Sequence, residues 1–105
     1  MMEISTLSDA ELTQHLKACV ARENDALADV IEAISEFDRR KLFTENAAPN
    51  MFVYCRRDLG YSEDAAAKRI QVAQKAKVYP SIIRFLRDGS LSLSAARLVA
   101  PHVPV

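Results

Sequence analysis

Residues 8–48 contain neither glycine nor proline, and this uninterrupted stretch constrains the fold more than any other feature of the sequence. Ser8 followed by Glu11 has the pattern of a capping box at a helix N-terminus. Apolar residues then recur at steps of three, four and seven, which places them on one face of a helix. They are Leu12, Leu16, Cys19, Val20, Leu27, Val30, Ile31, Ile34, Phe37 and Leu42. The pattern predicts one helix over roughly residues 8–43, or two nearly collinear helices, with a kink or frayed point at Glu23, where the apolar stripe is interrupted.

A helix of this length has no way to cover its apolar stripe by itself. The stripe must pack against the rest of the chain or against a second copy of it. We therefore expect a homodimer through the long helix, with an antiparallel pairing as one option. In that arrangement the acidic residues 23–38 of one copy would meet basic segments of the other.

The rest of the chain is divided by glycine and proline into four shorter helical segments. Pro49 suits the first turn of a second helix, which stops at Gly60. Ser62 caps a third helix, Pro80 starts a fourth that ends at Gly89, and Ser92 or Ser94 caps a fifth that ends before Pro101. His102 is expected to cap the last helix or pack against it.

The predicted fold is all-α: one long N-terminal helix followed by about four short helices, with a helix-turn-helix-like unit. We expect a single domain over residues 1–105, in which residues 1–45 form a long acidic helix and residues 46–105 a basic bundle of short helices. The apolar end "APHVPV" suggests a fragment of a longer protein.

No enzyme class is supported by the residue types present. The chain has no glycine-rich phosphate loop and no nucleophile elbow, and the regular spacing of its carboxylates is typical of a solvated helix face. His15 and Cys19 could supply two metal ligands, but no second pair follows, so no metal site, cofactor or small-molecule substrate is predicted. Cys19 and Cys55 are expected to be buried, reduced thiols.

Targeting signals are also missing from the sequence. No apolar run approaches the roughly 18 residues of a membrane span, and the first residues do not have the pattern of a signal peptide. The sequence therefore predicts a soluble, cytoplasmic protein without a membrane partner.

The formal net charge is zero, but acidic and basic residues are unevenly distributed. Residues 1–38 carry nine acidic against two basic residues, a net charge of −7, and residues 39–105 carry the balancing +7. This distribution has two explanations: the two halves neutralise one another, or the basic half faces a polyanion. Candidate phosphate contacts lie in the second and third helices: Arg56, Arg57, Lys68, Arg69, Lys75 and Lys77.

The stretch "LGYSEDAAAKRIQ", residues 59–71, has the order of a helix-turn-helix corner. Leu59 is the apolar residue before the turn, Gly60 lies in the turn, and Ser62 is the cap of the following helix. The inner face of that helix is formed by Ala66 and Ile70. Two features depart from the motif. Arg56 stands where a small residue is usual, and Glu63 with Asp64 places carboxylates at the helix end that would approach DNA.

The order of these segments resembles the helical region that precedes the nuclease domain in a group of bacterial HNH endonuclease-like proteins. The similarity runs from Leu7 to Val103, and "FVYCRRDLGYSEDAAAKRI", "YPSIIRFLRDGSLSLS" and "LVAPHV" carry most of it. In that family the metal-binding histidines lie downstream of this region. The resemblance therefore implies an accessory or targeting domain that is not itself catalytic.

Two functional hypotheses follow from the sequence. One is a non-catalytic module that binds double-stranded DNA and targets an HNH-nuclease-like protein through the six basic residues. The alternative is a protein-interaction or homodimerisation module that does not bind nucleic acid.

Overall fold

A computed structural model describes residues 3–99, and all regular secondary structure in this part of the chain is helical, with no β-strand. A short 3-10 helix, Ile4–Thr6, precedes the long helix α1, Asp9–Arg39. A second 3-10 helix, Leu42–Asn46, leads to α2, Met51–Arg57, and α3, Glu63–Val78. The chain continues through α4, Ser81–Arg87, and α5, Leu93–Arg97. The predicted fold class, a long N-terminal helix followed by shorter ones, is confirmed.

Helix α1 begins at the predicted capping box. The Ser8 hydroxyl accepts a hydrogen bond from the Glu11 backbone N–H at 3.1 Å, and the Glu11 carboxylate accepts one from the Ser8 N–H at 2.9 Å. The helix is continuous through Glu23, so it does not fray there or divide into two helices. Glutamate is a good helix former, and one polar residue in an apolar stripe changes the packing rather than the backbone. The helix ends at Arg39, earlier than predicted, and Lys41 turns the chain with a left-handed φ of 53°.

The short helices begin and end close to the predicted residues. Pro49 was expected in the first turn of α2 but lies just before the helix. The cap is Asn50, whose side chain accepts a hydrogen bond from the Val53 N–H at 2.9 Å. Ser62 caps α3 in the same way, and of the two candidates for α5 the cap is Ser92. The predicted ends at Pro101 and His102 lie outside the described residues.

Helix α3 occupies the centre of the fold and contacts α1, α2, α4 and α5. Three of its four buried residues are alanines, Ala66, Ala73 and Ala76. Small side chains let neighbouring helices approach closely on several sides at once. The largest fully buried side chains of the core are Ile31, Leu86, Val72 and Cys55. Among the described residues no polar side chain is buried, so the core is held by apolar packing.

Helix α1 joins this core through its C-terminal half alone. Its buried residues are Ala28, Ile31 and Ile34. Residues 9–23 include no buried residue, and we refer to them as the arm. At the rise of an α-helix the arm is about 22 Å long.

We predict that Gly60 is required for its backbone conformation rather than for lack of space. Its φ is +76°, and a Cβ added there would meet no atom within 4 Å. Gly60→Val should lower the free energy of unfolding by about 1 kcal/mol or more, whereas Gly60→Asn should cost less because asparagine tolerates positive φ. Urea denaturation of both variants measures the difference, and equal losses of stability would contradict this explanation.

Candidate functional site

The arm presents a row of apolar side chains to solvent. Leu12, Leu16 and Val20 are 41%, 62% and 46% exposed and follow one another at four-residue steps. Cys19 lies in the same row and is half-buried, with its Sγ 3.5 Å from Nε2 of His15. Both cysteines were predicted to be buried. Cys55 is fully buried, whereas Cys19 is only partly covered. Isolated exposed leucines are common in proteins, but a continuous apolar row on a projecting helix is typical of an interaction surface.

An apolar groove of about 320 Å³ lies between the C-terminal half of α1 and the corner that joins α2 to α3. We call it the groove. Its walls combine α1 residues with side chains of α2 and of the corner: Val30, Ala33, Ile34, Phe37, Met51, Leu59 and Tyr61. Leu59, the apolar residue before the turn in the helix-turn-helix pattern, is 47% exposed. The sequence does not reveal the groove, because its two walls are far apart along the chain.

The arm row and the groove lie on the same side of α1. Eighteen residues separate Leu12 from Val30, Leu16 from Ile34 and Cys19 from Phe37, and eighteen residues make about five helical turns. The apolar stripe recognised in the sequence therefore runs along one side of α1 from the arm to the groove, with Glu23 between the two parts. It is exposed along the arm and becomes the floor of the groove nearer the core.

The acidic and basic halves of the chain meet at Arg87. Its guanidinium contacts three carboxylates of α1: Asp25 at 3.3 Å, Asp29 at 2.9 Å and Glu32 at 3.0 Å. Hydrogen bonding to Asp29 is the main reason that the pKa of Arg87 is raised. The carboxylates remain solvated, but one of their roles is to position α4 on α1. Three acidic residues share one cation, so this side of α1 retains negative charge.

The predicted DNA contacts of α2 bind the protein's own backbone. Nη1 of Arg56 donates to the Tyr61 carbonyl at 3.1 Å across the corner. Arg57 donates to the carbonyl oxygens of Asn46 and Ala47 and forms an ion pair with Asp58 at 2.8 Å. Both side chains are also exposed, so these contacts are compatible with access from solvent.

The predicted contacts of α3 point in different directions. Lys68 pairs with Asp64 at 3.0 Å, and the guanidinium of Arg69 lies 4.5 Å from the centre of the Tyr61 ring. Lys75 donates to backbone carbonyls near the end of α5, and Lys77 lies 3.8 Å from Asp38 of α1. Nine residues, or two and a half turns, separate Lys68 from Lys77, which places them on opposite sides of α3. The structure therefore does not bring these four cations onto a single face of the helix.

Basic residues at the end of α1 are paired locally. Arg39 and Arg40 both donate to the Glu36 carboxylate, at 2.5 and 2.7 Å. These hydrogen bonds, with that of Arg39 the largest cause, lower the pKa of Glu36 to about 2. Glu36 thus stays ionised at any pH near neutral and offsets part of the charge of the two arginines.

Within residues 3–99 no three His, Cys, Asp or Glu side chains are grouped to hold a metal ion. Over the same residues, no helix is both long and apolar enough to cross a bilayer.

Comparisons with protein-family models, with curated proteins and with solved structures found no match to this chain. The similarity to the helical region of HNH endonuclease-like proteins therefore stays a prediction from the sequence.

We predict that Lys75 holds α5 to the core. Its Nζ donates to the carbonyl oxygens of Arg97 and of Val99, the second at 2.6 Å. Lys75→Met should lower the free energy of unfolding by about 1–3 kcal/mol, because two carbonyls lose a charged donor, and should speed amide exchange in α5.

Lys77→Met is the matched control, since it removes one partly exposed ion pair worth at most about 1 kcal/mol. Chemical denaturation and hydrogen exchange measure both variants. Equal effects at the two positions would show that Lys75 has no special structural role.

Proposed function

We propose that this chain is a non-catalytic protein-interaction module that forms a homodimer through the arm of α1. The exposed apolar row of Leu12, Leu16 and Val20 is the observation that carries the proposal. Contact with a second apolar surface would remove this row from water, which is the main source of free energy in protein association.

The magnitude of this gain indicates how much surface the dimer needs. Burying a whole leucine or valine side chain contributes about 1.5–3 kcal/mol, and about half of each arm side chain is already covered. Three side chains from each of two arms would then contribute on the order of 6 kcal/mol. Association costs about 4–15 kcal/mol in lost freedom of motion. Contact between the arms alone is therefore marginal, and a stable dimer requires further apolar surface beside them.

The resemblance to HNH endonuclease-like proteins is compatible with this role. In a protein that carries a nuclease domain downstream, a dimer of this module would bring two such domains together. The module itself would act by positioning its neighbours, without taking part in catalysis.

We predict that Leu16→Lys abolishes dimerisation without unfolding the chain. Leu16 is the most exposed residue of the arm row, so a lysine there meets solvent in the monomer but an apolar surface in the dimer. Analytical ultracentrifugation should show a dimer for the unchanged protein and a monomer for the variant, with equal helicity by circular dichroism.

Gln14→Lys is the matched control, because it adds the same charge to an exposed residue on the other side of the arm. It should leave the dimer intact. An unchanged protein that stays monomeric at about 1 mM, a concentration at which even weak complexes form, would rule out the proposed function.

Double-stranded DNA binding is a second candidate function, and the corner between α2 and α3 favours it. Gly60 has positive φ, Ser62 caps α3, and Ala66 is buried behind the corner, as a helix-turn-helix requires. The exposed Arg56 and Arg57 lie on the helix before this turn.

For this candidate we predict weak duplex binding that falls steeply with salt, because each neutralised phosphate releases counterions. Fluorescence anisotropy with a labelled duplex measures it. Arg56→Gln combined with Lys68→Gln should weaken binding, while Lys17→Gln on the arm should not. An unchanged signal at about 100 µM protein in low salt would exclude DNA binding of even the usual non-specific strength.

A further inference from the structure

We infer that the groove of each copy receives the arm of the other, in an antiparallel pairing of two α1 helices centred between Asn24 and Asp25. This inference rests on the proposed homodimer and specifies its interface. It supplies the additional apolar surface that contact between the arms alone lacks.

Residues of α1 on the arm-and-groove side follow one another at alternating steps of four and three, the spacing of a two-helix interface. They are Leu12, Leu16, Cys19, Glu23, Ala26, Val30, Ala33 and Phe37. Ala26 and Ala33 are exposed, and Val30 and Phe37 are half-buried, so this side is open to a second helix beyond the arm as well as along it.

An antiparallel partner centred between Asn24 and Asp25 matches this spacing over its whole length. Leu12 then faces the partner's Phe37, and Leu16 faces the partner's Ala33. Cys19 faces the partner's Val30, and Glu23 faces the partner's Ala26. The leucines of the arm, which are the largest exposed side chains of the row, enter the groove beside Met51, Leu59 and Tyr61.

Charges flanking these layers are complementary in the same register. Arg22, which within residues 3–99 forms no ion pair, comes beside the partner's Asp29. Asp29 has a 70% exposed side chain and shares Arg87 with two other carboxylates, so it can accept a second cation. At the end of the pairing Asp9 faces the partner's Arg40, another pair of opposite charges. The twofold axis of the dimer repeats each pair.

Neighbouring registers and the parallel arrangement place like charges together. A shift of one heptad in one direction sets Arg22 beside the partner's Arg22, and a shift in the other sets Asp29 beside the partner's Asp29. A parallel pairing in register brings the two Glu23 side chains directly face to face within one layer, where their like charges repel each other. The antiparallel register centred between Asn24 and Asp25 avoids all three contacts.

A disulfide between Cys19 and a cysteine introduced by Val30→Cys tests this register. Within one chain these residues are eleven apart on a continuous helix, about 16 Å, which is too far for a disulfide. In the inferred dimer they face each other across one layer. Oxidised glutathione is the oxidant in this test. It accepts the two electrons and two protons that the thiols lose when they form the disulfide, and it is reduced to two molecules of glutathione. Cys55 is fully buried and stays out of reach of the reaction.

Val30→Cys should give a covalent dimer on non-reducing gels, and peptide mapping should place the bond between residues 19 and 30. The matched control combines Val30→Cys with Cys19→Ser and Ala21→Cys, which moves the arm thiol to the far side of the helix, and should stay uncrosslinked. Sedimentation of both reduced variants should show the same dimer as the unchanged protein.

Three outcomes would overturn the inference. A Cys19–Cys19 bond in the unchanged protein, or a sedimenting dimer in which Val30→Cys forms no bond to Cys19, would refute the register and leave the homodimer standing. A protein that sediments as a monomer throughout would overturn the register and the proposed function together.

Discussion

The packing of α1 against α3 and α4 is the interaction on which the rest of the structure depends, and it uses only the C-terminal half of α1. The helix has 31 residues and is about 46 Å long, whereas α3, the longest helix beside it, has 16 residues. A bundle of short helices has no means of covering a helix of that length. Ala28, Ile31 and Ile34 are the α1 residues buried in the core, Leu27, Val30 and Phe37 are partly covered, and Leu12, Leu16 and Val20 of the arm remain exposed.

Charged residues reinforce this packing at its edges. Arg87 joins α4 to three carboxylates of α1, and Lys77 reaches Asp38 from α3. The excess negative charge of the first half is therefore partly offset by the second half, as one of the two explanations for the charge distribution anticipated. Each of these ion pairs is partly exposed and contributes little by itself, so their main effect is to orient helices that apolar contacts already hold.

The central position of α3 bears on both functional hypotheses. A helix that contacts four others has little surface left, and its exposed residues in the middle are Gln71 and Gln74. The same features that make the α2–α3 corner similar to a helix-turn-helix also serve a compact bundle: a glycine with positive φ, a serine cap and an inner alanine. DNA binding stays a prediction, while the exposed arm and the groove beside it favour association with a second copy.

Local signals in the sequence determined the helices themselves. The Ser8 capping box, the Ser62 cap and the positive φ of Gly60 and Gly89 involve atoms within a few residues of one another, so a residue pattern is enough to locate them. Only the tertiary structure decided which part of the apolar stripe is buried and which basic residues serve as internal ties. Those outcomes depend on contacts across long separations, such as the 62 residues between Asp25 and Arg87. A pattern along the chain shows that a side chain is apolar or charged, but the neighbour that it meets is set by how the helices pack.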